Sequence, residues 1–295
     1  MIIPEFKYLQ PSTLKEFLEI RNELRNRAVI LAGGTDIIVN MKKGIIKPEN
    51  LISLKGIKDR VLGSVSLKNG TVHIGACVTA DELSCAESVK GAMEAVSEGA
   101  ASLGSPLIRN RATAGGNIIN ARPAADLIPP LIACDAHVVL RSITKKRELP
   151  LDGFITAPGR TLLKDNELLL GIKIKELSPG SGSAYIKLGT RKALEISLVN
   201  VAVFISIDGP GGTITNARIV MGAVGPVPLR AKKAEQSLIG QKPNAGSFKK
   251  AANIAAGECS PIDDFRGSAE YRRDMVNVLT IRALKKALQQ ARKNN

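Results

Sequence analysis

The stretch Thr113-Ala114-Gly115-Gly116-Asn117-Ile118 restricts this chain more than any other. Two adjacent glycines leave the backbone without side chains and let it turn with positive φ. The amides of such a turn can converge on an anion as a nest. A threonine hydroxyl precedes the pair and an asparagine amide follows it, so polar handles flank a surface of bare backbone. A second pair, Ala32-Gly33-Gly34-Thr35-Asp36, follows the apolar run Val29-Ile30-Leu31. One glycine pair by itself marks only a turn. Two, each with a small residue before and a polar one after, predict a dinucleotide held between two glycine loops. Neither pair carries the G-x-G-x-x-G of a Rossmann turn or the Gly-Lys-Ser/Thr of a P-loop.

With 295 residues the chain can bury two cores. Its 42 lysines and arginines exceed its 27 acids by 15, which opens nucleic acid, an anionic membrane or an acidic protein as partners. The cations are spread without long runs, which predicts a solvated surface with at most one basic docking face. There is no tryptophan and aromatics make up 3%, against the stacking platforms of single-strand nucleic-acid binders. Cys77, Cys85, Cys134 and Cys259 form no C-x-x-C, and with two histidines in the chain a zinc or iron–sulfur site is not expected. Free thiols predict a reducing compartment. No signal peptide and no spanning apolar run is visible, so the expectation is a cytoplasmic chain without membrane insertion.

Residues 1–60 read as a βαβ-like unit. Thr13 and Glu16 predict a capping box for a helix that turns Leu14, Phe17, Leu18 and Leu24 inward. Residues 28–31 read as a buried strand, and a helical turn follows the first glycine pair, a general phosphate-binding arrangement. Residues 61–67 and 71–76 predict a hairpin about Asn69-Gly70. Thr79 and Glu82 form another capping box, and 89–103 reads as one alanine-rich helix ending at Gly104. Asp126 stands in an apolar setting near the second glycine pair, which suits a ligand contact. His137 reads as a strand-end histidine satisfied locally. Ser178-Pro179-Gly180-Ser181-Gly182-Ser183 reads as a linker. Beyond it, 184–188, 199–207 and 214–220 predict strands, Gly209-Pro210-Gly211-Gly212 a hairpin turn, and 231–238, 247–256 and 268–290 helices. The last helix places Tyr271, Met275, Val278 and Leu279 on one face.

These residues resemble the FAD-binding medium subunit of molybdenum hydroxylases, the family of xanthine, nicotinate and aerobic carbon monoxide dehydrogenases. Beside the two glycine motifs and Asp126, the likeness rests on Ile74-Gly75-Ala76 with Thr79, on Ser105-Pro106-Leu107-Ile108-Arg109-Asn110, on 187–197, and on Gly267-Ser268-Ala269-Glu270-Tyr271-Arg272-Arg273. It implies an α+β fold: a two-part FAD-binding domain of the vanillyl-alcohol-oxidase (PCMH) type over 1–177, with subdomains of about 1–57 and 58–177. A smaller C-terminal domain with a three-stranded antiparallel sheet and helices would cover 183–291. It also implies noncovalent FAD, since neither histidine lies in a matching loop. The implied cofactor contacts are Leu31, Ala32, Gly33, Gly34, Thr35 and Asp36, then Leu103, Ile108, Thr113, Ala114, Gly115, Gly116 and Asn117, and finally Asp126, Leu169 and Lys187. Leu169 matches a position packed on the isoalloxazine ring. Leu103 falls where some relatives put a phenylalanine.

The function so implied is electron transfer, from iron–sulfur clusters of a small partner subunit through FAD to NAD or another acceptor. Substrate oxidation would occur on a separate large subunit carrying the molybdenum cofactor. No nucleophile–base constellation or paired carboxylates point to acid–base catalysis in this chain. Two alternatives remain open on the residues alone: a stand-alone flavin oxidoreductase of the same fold, and a basic module binding nucleotides or nucleic acid.

Overall fold

A computed structural model describes residues 3–191, 194–209 and 211–295. The first unit starts with β1 (Lys7–Leu9), α1 (Leu14–Leu24) and β2 (Ala28–Leu31), then α2 (Ile37–Lys42) and β3 (Asn50–Ser53). β3 lies between β1 and β2, parallel to both. α1 buries Phe17 and Leu18 and, on the same stripe, Arg21. Its cap differs from the expected box by one residue. Thr13 accepts from the Glu16 amide, but the Glu16 carboxylate reaches back to the Ser12 amide at 2.8 Å.

The second unit is a five-stranded antiparallel sheet flanked by short helices. α3 (Arg60–Gly63) leads into β4 (Val65–Lys68) and β5 (Thr71–Gly75). The predicted hairpin is therefore shorter, because residues 60–63 close a helical turn capped by Asp59. α4 (Ala80–Cys85) carries the complete Thr79–Glu82 box. The single helix expected over 89–103 is broken: Gly91 takes φ +63°, and only α5 (Glu94–Ala101) is α-helical. α6 (Pro106–Arg109), α7 (Ala114–Asn120) and α8 (Ile128–Ala133) follow. Then come β6 (His137–Arg141), β7 (Lys146–Pro150), the small ribbon β8 (Ile155–Ala157) with β9 (Arg160–Thr161), and β10 (Leu168–Lys175). β10 returns to the sheet centre in the order β4-β5-β10-β6-β7. His137 meets the Asp135 carbonyl at 3.1 Å, a local partner.

β11 (Ser181–Leu188), β12 (Val199–Ile207), β13 (Ile214–Gly222) and β14 (Leu229–Arg230) form the C-terminal antiparallel sheet. Its fourth strand is two residues long, too short for a sequence pattern to reveal. The serine–glycine stretch expected as a linker is half strand: Ser181 and Ser183 are fully buried, and a Cβ on Gly182 would lie 2.2 Å from the Ala287 carbonyl oxygen. Glycine there admits the last helix to the sheet. Pro210 of the predicted hairpin turn lies outside the described residues, while the flanking strands pair antiparallel at Ile207–Ile214.

α9 (Lys232–Leu238), α10 (Ala245–Glu258) and α11 (Ala269–Lys293) complete the chain, with α10 and α11 packed together and α11 laid across β11 and β12. The buried face of α11 is Arg272, Val276, Leu279 and Ala283, one residue round from the predicted stripe, and Tyr271 is exposed. The cause is Arg272, which turns inward to donate to the carbonyls of Leu198 (3.0 Å) and Ala223 (3.3 Å). One face of this sheet forms a core with α9, α10 and α11. The other face sends Tyr185, Ala202, Phe204 and Val220 into the core of the five-stranded unit. Side chains tie the two across: the Arg218 guanidinium donates to the Ala133 carbonyl at 3.0 Å and the Tyr185 amide to Glu98 at 2.7 Å. No helix among the described residues is long and apolar enough to cross a membrane.

Candidate functional site

The two glycine pairs meet at one cleft. A Cβ on Gly33 would lie 1.9 Å from the Arg111 carbonyl oxygen, so only glycine lets the first loop reach the chain entering α7. Gly34, at φ +80°, then turns the loop toward α2, a conformation that costs a side-chain-bearing residue about 1 kcal/mol or more. Between them runs a cleft of about 500 Å³, within the usual range of ligand sites.

The first loop brings backbone donors to the cleft. The amides of Gly33, Gly34, Thr35 and Asp36 donate to no acceptor among the described residues. The exposed Asp36 carboxylate adds an acceptor beside them. The second pair corrects the expectation of a nest. Gly115 and Gly116 lie in the first turn of α7 without positive φ. Their amides are already bonded: Ala114 to Val78 (2.9 Å), Gly115 to Ala76 (2.8 Å), Gly116 to the Thr113 hydroxyl (3.1 Å) and Asn117 to the Thr113 carbonyl (2.9 Å). Glycine is needed at 115 for packing, since a Cβ would sit 2.7 Å from that of Ala76. The second motif thus supplies a flat wall.

The apolar remainder comes from Ile30, Leu54, Leu103, Ile108, Leu168 and Leu169. Leu169 sits beside a register shift between β10 and β6. Three residues assigned to the cofactor line neither this cleft nor the next. The Leu31 side chain packs against the Gly34 turn, Ala114 is fully buried, and Lys187 is engaged elsewhere.

A second cleft of about 870 Å³ opens between the five-stranded unit and the C-terminal sheet. It shares Asp36, Leu103, Asn117 and Asn120 with the first. Asp126 borders it and is the hub of a buried network. Its carboxylate accepts from Lys187 (2.7 Å), the Tyr185 hydroxyl (2.8 Å) and the Ser197 hydroxyl (2.8 Å). Burial first, and then the neighbouring Asp126 charge, push the Tyr185 phenol well above its ordinary range, so it stays a neutral donor. Lys187 also donates to the Ser102 carbonyl at 3.1 Å, fixing the residue before Leu103. The next amide after Asp126, that of Leu127, holds the Asn117 side chain at 3.3 Å. Asp126 and Lys187 therefore position the residues where the clefts join.

Sequence reasoning missed Arg21, the one cationic side chain lining the first cleft among the described residues. Its signal was present: 21 follows Phe17 by four and Leu18 by three, the spacing of the buried stripe. Desolvation disfavours its charged form, partly offset by the nearby Asp165.

Residues 4–175 match the model of the FAD binding domain in molybdopterin dehydrogenase, and 184–287 that of the CO dehydrogenase flavoprotein C-terminal domain. The carbon monoxide dehydrogenase medium chain of Hydrogenophaga pseudoflava is 32% identical over 97% of this chain and 98% of that one. The glyceraldehyde dehydrogenase medium chain of Sulfolobus acidocaldarius is 31% identical over 97% and 99%. Among solved structures, the Hydrogenophaga pseudoflava carbon monoxide dehydrogenase lacking the Mo-pyranopterin moiety superposes with a TM-score of 0.92 at 32% identity, over 98% of this chain and 99% of that one.

Proposed function

This chain belongs to the FAD-binding medium subunits of molybdenum hydroxylases, and on that premise we propose that it carries electrons from an iron–sulfur partner subunit through noncovalent FAD to NAD or another acceptor. The observation that carries the reading is the cleft itself. Free amides at Gly33, Gly34, Thr35 and Asp36, with no side chains at the first two, fit a pyrophosphate. The apolar wall ending at Leu168 and Leu169 fits a planar ring system, and the second cleft continues beyond it.

In this reading the loop Ala32-Gly33-Gly34-Thr35-Asp36 holds the phosphates, and Asp36 accepts from a hydroxyl of the ligand. Thr113, Gly115, Gly116 and Asn117 form the wall on which the ligand lies, with Ile108, Leu103 and Leu169 at the ring. Asp126 and Lys187 act from behind, holding Leu103 and Asn117 in place. Bound FAD would supply the chemistry, accepting electrons singly and releasing them in pairs. The protein's part is to hold the ring and exclude water from the apolar wall. A large subunit with the molybdenum cofactor and a small iron–sulfur subunit are the partners this reading requires. The relatives' names span carbon monoxide and glyceraldehyde, so the substrate is set outside this fold. The test is the visible spectrum of the purified chain. A flavin absorption released by mild denaturation as FAD supports the reading; a colourless chain that also refuses added FAD refutes it.

A further inference from the structure

We infer that Arg21 binds the adenosine half of the dinucleotide and thereby selects FAD over FMN, an inference that rests on the cofactor reading above. Arg21 is nine-tenths buried in α1, yet it lines the first cleft. Its Nη1 is anchored on the backbone, donating to the carbonyls of Arg25 and, at 2.9 Å, Ala28. Its Nε is buried with no acceptor, and its Nη2 donates to none among the described residues. A buried cation held rigidly on one side and unpaired on the other is costly unless a ligand completes it.

The position says which part of the ligand that is. Ala28 and Val29 line the cleft beside Arg21, at the start of β2, whereas the loop with free amides follows its end. From Ala28 to Gly33 the extended chain covers about 16 Å at ~3.3 Å per residue. The nucleotide half of a dinucleotide lying along that path has its base directed toward the Arg21 end. Leu103 and Asn117, which line the second cleft as well, border the side left for the flavin. Arg21 thus stands at the nucleotide end. A guanidinium plane there can stack on a purine face and donate to its ring nitrogens or to the ribose. Asp36, the one carboxylate lining this cleft among the described residues, lies at the loop, and Asp165, whose charge partly offsets the desolvation of Arg21, makes no hydrogen bond to its guanidinium.

The experiment compares two ligands on one protein. The full chain, stripped of flavin, is titrated with FAD and with FMN, following flavin fluorescence, as wild type and as Arg21→Met. FMN has the ring and one phosphate but no adenosine. FAD affinity is expected to fall about thirtyfold in the variant, the scale of a desolvated cation–π contact, with FMN affinity unchanged. Loss of the helix-end contacts weakens both ligands alike, so the FAD-to-FMN ratio separates recognition from folding. If Arg21→Met does not fold, Arg21→Lys keeps a long donor toward the two carbonyls without a guanidinium plane, and the same ratio is read from it. A ratio equal to that of the wild type overturns the inference alone. A wild type that binds neither flavin overturns the cofactor reading and this inference with it.

Discussion

At Gly33–Gly34, beside a cleft, the backbone amides donate to no acceptor among the described residues, whereas at Gly115–Gly116 each amide is bonded within the protein. In sequence the two pairs look interchangeable: small residue, two glycines, polar residue. In space they divide a task. The first pair makes a loop with no side chains beside the cleft, where the proposed pyrophosphate would come close. The second lies in a helical turn pressed onto Ala76, where absent side chains let α7 seat against β5. A glycine pair therefore reports close approach, and what approaches can be a ligand or the protein's own chain.

Substituting each pair tests this division. Gly33→Ala places a Cβ in the Arg111 carbonyl, a backbone atom that cannot swing aside. We expect FAD binding to be lost outright, with a stability cost of about 3 kcal/mol or more. Retained FAD affinity in a folded Gly33→Ala protein would break the comparison. Gly115→Ala should act in the other order, costing about 1–3 kcal/mol by overpacking against Ala76. Its melting temperature should drop with a smaller change in FAD affinity. Equal losses of affinity in the two variants would mean that both loops hold the ligand directly.

The smallest expected effect is on pH dependence near the second pair. Cys77 follows Ala76, and burial pushes its thiol up to about 11. The fold favours the neutral thiol, so its contribution is complete below the ordinary thiol value of ~8.5. That contribution is lost as pH rises from there towards 11. Chemical denaturation of the chain between these limits should show stability falling with pH, and Cys77→Ala should flatten part of the slope. An unchanged slope would place the thiol in contact with water and loosen the seat proposed for α7.

Much of the fold was legible because its signals are local. The strand over 28–31, the Thr79–Glu82 box and the strand over 199–207 each follow from adjacent residues. The misread elements failed where distant contacts decide. Ser181 and Ser183 look like linker residues until α11 lies on them. Arg272 looks like a surface residue until Leu198 and Ala223 offer it carbonyls. Lys187 looks free for a ligand until Asp126 engages it at 2.7 Å.

The sequence by itself determined that bare backbone occurs at two places, flanked by polar residues. Length also allowed two cores, and strand and helix signals predicted a C-terminal sheet with helices. Which bare backbone keeps its amides for a ligand was decided only in three dimensions. Hydrogen bonding is competitive, and the carbonyls of Ala76 and Val78, far along the chain from Gly33, lie within reach of the α7 amides and not of the first loop. The role of Arg21 has the same origin. Helical spacing turned it inward, but only the path of β2 past α1 made that inward face the end of a cleft.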